Sequence, residues 1–389
     1  MSKSLREQVA VIGVGCTKFG DNVDQSLADM MVDATREACA DAGVTLDQLQ
    51  AAWLGTFSPG FNGGKASITL ADSLRFRERP ITRVENYCAT GTDAFRNAAA
   101  AISAGLYDMV LVLGAEKLKD RAVRGLQREG IHPLMEAGST APGMFAMAAN
   151  RYMHTYGLDR RTLAKVAVKN HANGTLSEKA HLRMKITEEQ ALSAQMIAYP
   201  FGLFDCCPTT DGAAAAILCR ADIAKERGKE LILLRGSGLA VSSGKPYLDP
   251  TCEYLGFPST RMASQQAYKA AGVSDPVKEI DFAEVHDCFT WTEITNYEDL
   301  GFCAKGEGGK FVEEGRSSLQ GDLPVNPSGG LKSFGHPVGA TGVRMIYELT
   351  TQLRGQAGQR QVKDAELGLA HNLGGPGAVA CVILLGREA

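Results

Sequence analysis

Four short stretches of the chain concentrate the residue types that carry covalent and proton-transfer chemistry. In "VENYCATGTDAF" a lone Cys88 stands just ahead of a small-residue helical run. A cysteine there meets the unpaired N–H groups and positive end of a helix. These favour its thiolate and offer an N–H to the oxygen of a bound acyl group. The competing use is a thiol buried for bulk. In "SGGLKSFGHPVGATG" His336 lies in a glycine-crowded loop that enters another helix. An imidazole so placed can take a thiol proton near neutral pH, or it can cap a turn. "IDFAEVHDCF" reads as a short strand ending in His286, Asp287 and Cys288, and strand ends carry reacting groups in α/β proteins. Asp287 is read instead as the anchor of a neighbouring loop. In "LGLAHNLGGPGAVACVILLG" a strand enters Asn372, Leu373, Gly374 and Gly375 and returns as a strand. The glycine N–H groups there could bind an oxyanion or make a plain hairpin turn. The adjacent thiols Cys206 and Cys207 of "LFDCCPTTDG" are read as packed inside, with Asp211 and Gly212 forming a turn.

The elements that must position these groups alternate between strand and helix. "QVAVIGVG" reads as a strand leaving into a glycine loop, and "SLADMMVDATREACADAG" as a helix with a serine start and a glycine stop. "YDMVLVLGAE" is a short apolar run of the kind buried on both faces of a sheet, and "DGAAAAILCRADIAKERG" is a strand followed by a helix. This alternation predicts an α/β protein. The order then restarts at "ELILLRGSGLAVS". "ATREACADAGVTLDQLQAAWLG" is echoed by "ASQQAYKAAGVSDPVKEIDFAEV", and "CATGTDAFRNAAAAISAG" by "GATGVRMIYELTTQLRG". These echoes predict a duplication, with halves at 1–228 and 229–389 and an inserted region over about 119–205. Under pseudo-two-fold packing, the two Ala-Thr-Gly helix starts converge and bring Cys88 to the His336 loop.

Bulk composition narrows the function class. The chain has 389 residues, 44% apolar and 22% charged, and a formal net charge of −3. That balance, without a long Lys/Arg run, argues against nucleic acid as a partner. No apolar run reaches a membrane span's length, and the start does not read as a signal peptide. Ten cysteines without regular spacing fit reduced thiols in a cytoplasm. No Cys/His spacing of the zinc-finger type occurs, so no metal is expected.

Together, "NYCATGTDA", "HDCF", "GHPVGATG" and "HNLGGPG" resemble, in order and spacing, the four active-site loops of the thiolase superfamily. "HDCF", "CCPTTDGAAAAIL" and "HNLGG" are most similar to its sterol-carrier-protein-type and archaeal-type branches, although no carrier domain follows. The resemblance covers essentially the whole chain. It implies the thiolase fold: two βαβαβαββ halves forming a five-layered αβαβα sandwich with an inserted loop domain. It implies thiolysis of a 3-oxoacyl-CoA or the reverse Claisen condensation, with coenzyme A or acyl-CoA as substrate and no permanently bound cofactor. Cys88 would carry the acyl group and His336 would deprotonate it. His286 and His336 would bind one oxyanion, and the N–H groups of Cys88 and Gly374 the other. Cys288 would be the acid/base, since Asn372 occupies the place where biosynthetic thiolases carry a cysteine. Asn372, Gly335 and Ser333 would line the substrate. Lys119, Arg121, Arg124 and Arg128 could meet CoA phosphates or form a solvated face. A homodimer and a small zinc-ribbon/OB-fold companion subunit are the implied partners. The alternatives are a retro-aldolase of the same fold, which would use tyrosines in place of the nucleophilic cysteine, an acyltransferase to a non-CoA carbon acceptor, and an inactive scaffold.

Overall fold

A computed structural model describes residues 6–57, 67–120, 140–228, 230–243 and 249–388. Its strands are β1 Val9–Cys16, β2 Ala51–Gly55, β3 Ile81–Val84, β4 Met109–Glu116, β5 Met196–Ala198, β6 Phe201–Gly202, β7 Gly212–Arg220, β8 Ile232–Val241, β9 Phe282–Val285, β10 Leu367–Gly374 and β11 Val379–Arg387. Its helices are α1 Leu27–Ala42, α2 Ile68–Leu74, α3 Thr90–Ser103, α4 Ala141–Tyr156, α5 Arg160–Gly174, α6 Glu188–Ser193, α7 Ala221–Glu226, α8 Pro258–Ala271, α9 Pro276–Glu279, α10 Thr290–Asp299, α11 Gly308–Glu313, α12 Gly330–Ser333 and α13 Val338–Leu353.

Nine strands join in the order β3-β2-β4-β7-β1-β8-β11-β10-β9. The order is a palindrome of two similar halves. Outward from the centre, β1 pairs antiparallel with β7, β7 antiparallel with β4, and β4 parallel with β2. On the other side, β8 pairs antiparallel with β11, β11 antiparallel with β10, and β10 parallel with β9. Beyond β2 lies the parallel strand β3; beyond β9 the same place holds a single parallel bridge between Ala283 and Val325. Within the sheet, the two sets of strands join through β1 and β8, which pair antiparallel at Ala10↔Leu233 and Val11↔Ile232. The duplication read from the sequence echoes is therefore visible in strand order and direction.

Helix α1 covers β1 and β7 on one outer face, and α8 covers β8 and β11 on the other. Between the two sets of strands α3 and α13 pack on each other. An α-β-α-β-α layering results. Helix α13 lies wholly inside this layer: every residue of it except Tyr347 is buried. Its polar residues must then be paired inside. Arg344 is held by the carboxylate of Glu284 and donates to Ser328 Oγ at 2.8 Å, while Glu348 is met by Arg360 at 2.9 Å.

The two middle helices touch backbone to backbone at their Ala-Thr-Gly starts. A Cβ on Gly91 would lie 2.8 Å from Gly339 O and 2.9 Å from Gly342 N. One on Gly342 would lie 2.2 Å from Thr92 N and 2.5 Å from Asn372 Oδ1. Only glycine permits this approach.

The described part of the inserted region, 140–205, consists of α4, α5, α6 and the β5–β6 hairpin. Arg121, Arg124 and Arg128 lie outside the described residues. Lys119 pairs with Asp21 at 2.9 Å, so its charge is already matched on the protein. Asp211 and Gly212, expected as a turn, do something else. Gly212 opens β7 against the Phe19 ring, and buried Asp211 accepts from Lys117 Nζ at 2.9 Å and from the N–H groups of Leu118 and Lys119. A buried aspartate at a strand start can satisfy the exit of its neighbour β4, which a solvent-facing turn would not need.

The α3–α13 contact yields a direct test. Gly342→Ala should cost about 1–3 kcal/mol or more, the range for overpacking a tight interior. Urea denaturation of the variant checks this; a change within about 0.5 kcal/mol, typical of a surface site, would mean the contact is looser than described.

Candidate active site

The chain reaches Cys88 through a strained turn. After β3, Tyr87 adopts φ 50, the left-handed region that a residue with a Cβ rarely enters. Thr90 locks the turn, accepting from Asn86 N at 2.8 Å and donating to Tyr87 O. Asn86 Nδ2 also donates to Asp93 in the first turn of α3 at 2.6 Å. Cys88 thus stands immediately before Ala89, the cap residue of α3. The residue as a whole is half-buried, while its thiol faces an enclosed cluster.

His336 arrives from the other half on the loop between α12 and α13. Asp287, at the end of β9, fixes that loop. Its carboxylate accepts from Leu331 N at 2.6 Å and Lys332 N at 3.2 Å, and from Asn170 Nδ2 of α5 at 2.8 Å. The anchoring role read for Asp287 from the sequence is the one it has. Gly335 follows at φ 114, where an added Cβ would strike Thr210 at 2.7 Å.

The ligand atoms of Cys88, His286 and His336 all lie within 4.8 Å of one another. The two imidazoles meet edge to face, with centroids 5.1 Å apart and planes at 87°. Their hydrogen bonds fix their tautomers. Thr341 Oγ1 donates to Pro337 O at 3.0 Å, so it accepts the proton on His336 Nδ1 at 2.7 Å. His336 Nε2 is then a bare lone pair, buried and without a hydrogen-bond partner among the described residues. Asn372 accepts from Thr92 on its oxygen and donates its Nδ2 to His286 Nδ1 at 3.2 Å. His286 therefore carries its proton on Nε2. The pair presents one base and one donor.

Burial, with help from Arg344, pulls the His336 pKa down to about 3, and burial with the neighbouring His336, His371 and Arg344 holds His286 well below its ordinary value. Both imidazoles rest neutral. Burial also pushes the Cys88 thiol up to about 12, assisted by Glu116 and Glu85, against hydrogen bonds from the backbone N–H groups of Gly375 and Cys88. The thiolate expected from the helix start is thus not the resting form. Desolvation and two carboxylates outweigh the helix end.

Cys288 lies outside the tight triad, buried, 3.8 Å from Thr292 Oγ1, with burial and the nearby Cys207 and Cys88 holding its thiol pKa well above the ordinary value. Cys207 donates its N–H to Cys288 O at 2.9 Å, so the paired cysteines run beside this strand end. Gly374 packs on the nucleophile turn, where a Cβ would lie 2.6 Å from Asn86 O. Asn372 is fully buried behind His286, and Ser333 spends its hydroxyl on Leu182 O. Three participants escaped sequence reasoning. Thr341 sits five residues after His336 in the quoted motif and was legible as a candidate. Lys332, fully buried with its ammonium on Cys206 O, and Glu116, accepting from Phe57 N at 2.9 Å and Gly339 N at 3.0 Å, carried no local signal.

A duplicated α/β sandwich with a cysteine and two neutral imidazoles at the convergence of its central helices defines a thiol-dependent acyl-transfer enzyme. Residues 9–222 match the family described as "Thiolase, N-terminal domain" and residues 248–387 match "Thiolase C-terminal domain-like"; the chain belongs to the thiolase family and is an acyltransferase. It is 42% identical over 386 residues to acetyl-CoA acetyltransferase of Methanothermobacter thermautotrophicus, covering 97% of this chain and 99% of the relative. It is 32% identical to sterol carrier protein 2 of Gallus gallus, over 97% of this chain and 72% of that protein. Among solved structures, "Ltp2-ChsH2(DUF35) aldolase" superposes with a TM-score of 0.87 at 25% identity, covering 99% of both chains.

Thr341 supplies the test of the tautomer assignment. Thr341→Val should lower kcat/KM about 10–100-fold, as loss of a histidine-orienting partner does, with little change in thermal stability, and Thr341→Ser should restore most of it. Equal losses in both variants would show that the hydroxyl does not set the His336 proton.

Proposed function

We propose that the chain interconverts 3-oxoacyl-CoA plus free coenzyme A with two shorter acyl-CoAs through a thioester on Cys88. The observation that carries this reading is the bare Nε2 of His336 in the same enclosed cluster as the Cys88 thiol. His336 takes the Cys88 proton as sulfur attacks the thioester carbonyl and holds it on Nε2 while the acyl group is on Cys88. The Cys288 thiol protonates the departing CoA thiolate, which leaves Cys288 as the base. His336 returns its proton to Cys88 once the carbon–carbon bond has formed. The N–H groups of Cys88 and Gly374 receive the first oxyanion, and the Nε2–H of His286, with His336, receives the enolate oxygen of the second acyl-CoA. Cys288 exchanges the α-proton. In cleavage its thiol protonates the departing enolate, and its thiolate then takes the proton of the incoming CoA thiol. Asn372 acts by holding His286 in its donor tautomer.

We read the halves as 1–228 and 229–389, and coenzyme A thioesters as the substrates. Ten cysteines without disulfides support a reducing, cytoplasmic setting. A homodimer with a small zinc-ribbon/OB-fold companion is the proposed assembly, in keeping with the two-component Ltp2-ChsH2(DUF35) aldolase that superposes on the chain. Native mass measurement of the purified chain should give twice 41.4 kDa, and a monomer at micromolar concentration would exclude the dimer. The retro-aldolase reading, which the likeness to that aldolase raises, is disfavoured by the Cys88–His336 arrangement, since carbon–carbon cleavage without acyl transfer has no use for it.

The steps separate by trapping. With radiolabelled acetyl-CoA, wild type and Cys288→Ala should both acquire label on Cys88. Cys288→Ala should then lose carbon–carbon bond formation and cleavage by about 10²-fold or more. Cys88→Ser should acquire no label and lose turnover. Asn372→Ala should lose less than Cys288→Ala. The acylation kcat/KM should be flat from about pH 5 to about pH 9, because the base stays unprotonated above about 3 and the thiol stays protonated below about 12. An acid limb near the free-imidazole value of about 6.5, or full condensation by Cys288→Ala, would remove the corresponding assignment.

A further inference from the structure

The cluster that serves acyl transfer also has the layout of a transition-metal site. Cys88 Sγ and one nitrogen from each of His286 and His336 lie within 4.8 Å of one another. Tetrahedral zinc holds sulfur at about 2.3 Å and nitrogen at about 2.0–2.1 Å, which sets ligand atoms about 3.4–3.6 Å apart, so these atoms need close by at most about 1.4 Å. Histidines that bind metal donate their other ring N–H to a second group; His336 already does, and His286 would once the Asn372 amide turns its oxygen toward the ring. Thr341 fixes Nδ1 of His336 and Asn372 fixes Nδ1 of His286. The sign of an unmet ligand, beside the geometry of the cluster, is His336 Nε2, buried and lacking any hydrogen-bond partner among the described residues. No local Cys/His spacing announces the site, because its three members come from three loops.

We propose that the Cys88–His286–His336 cluster binds a borderline-soft divalent cation, zinc by preference, and that the bound metal holds the resting enzyme inactive. The thiol proton of Cys88 passes to solvent as sulfur bonds the metal. The proton on His286 Nε2 moves to Nδ1 as Asn372 turns its oxygen toward the ring, and water fills the fourth position. An acyl group on Cys88 blocks the site, so substrate and metal exclude each other. The inhibitory part rests on the thioester reading above; the binding part does not.

Cobalt(II) titration of the wild-type chain separates the two. About one equivalent should produce the thiolate-to-cobalt charge-transfer band with tetrahedral visible absorption, and excess zinc should remove it. Cys88→Ser should abolish the charge-transfer band, and His336→Gln should weaken binding at least tenfold. His336→Gln keeps a polar side chain of similar size should Cys88→Ser fail to fold. In parallel, zinc should inhibit thiolysis reversibly, EDTA should restore it, and prior acetylation of Cys88 should protect the enzyme. No band in wild type, or a band that persists in both variants, overturns the site. A band with unchanged thiolysis at saturating zinc overturns the inhibition alone, and a band in a chain without thiolysis or acyl labelling faults the thioester reading instead.

Discussion

The contact on which the rest depends is the glycine-to-glycine crossing of α3 and α13. Gly91 meets Gly339 and Gly342 at distances that leave no room for a Cβ on either side. Each helix starts at its own half's edge of the site. When they cross within backbone contact, the turn before α3 and the loop before α13 have nowhere to go but together. Gly114 repeats the constraint from β4, where a Cβ would stand 2.4 Å from Gly339 O. The catalytic convergence follows from packing small residues at the centre of a duplicated sandwich.

That convergence has an electrostatic cost, which the surroundings offset. The middle layer excludes water, so every ionisable group there is driven toward neutrality. Neutral imidazoles and a neutral thiol are the outcome at the reacting atoms, whereas charges deeper in α13 survive by pairing, Arg344 with Glu284 and Arg360 with Glu348. The site therefore holds a neutral thiol and a neutral imidazole at rest rather than a preformed thiolate–imidazolium pair. A thiol that rests protonated is spared oxidation, and it must be deprotonated before any soft metal can hold it.

The inserted region also contributes to the site, through α5. Asn170 joins Asp287 at 2.8 Å and Glu293 through its Nδ2, and Asn173 donates to Asn326 O at 3.0 Å. These bonds pin the segment before α12, so a helix absent from the second half sets the position of His336. The duplication supplies the symmetry, and the insertion supplies the asymmetry that places the base.

The sequence by itself determined the α/β class, the repeat, and the four loops that hold Cys88, His286, Cys288, His336 and Gly374. Those features are local: helix starts, glycine loops and apolar strand runs depend on neighbours within a few residues. The role of Asp287 was legible too, because an acidic residue at a strand end beside a glycine loop has few uses. Only the tertiary structure decided which atom of each histidine carries a proton, since Thr341 sits across a turn from His336 and Asn372 lies 86 residues from His286. It alone set the thiol of Cys88 as the resting form, reversing the helix-start expectation. It also committed Ser333 to Leu182 and turned Asp211 inward. Burial settles protonation, and Asn372 and Leu182, the partners of His286 and Ser333, are distant along the chain; Thr341 is near His336 in sequence, but only the fold shows where its hydroxyl points.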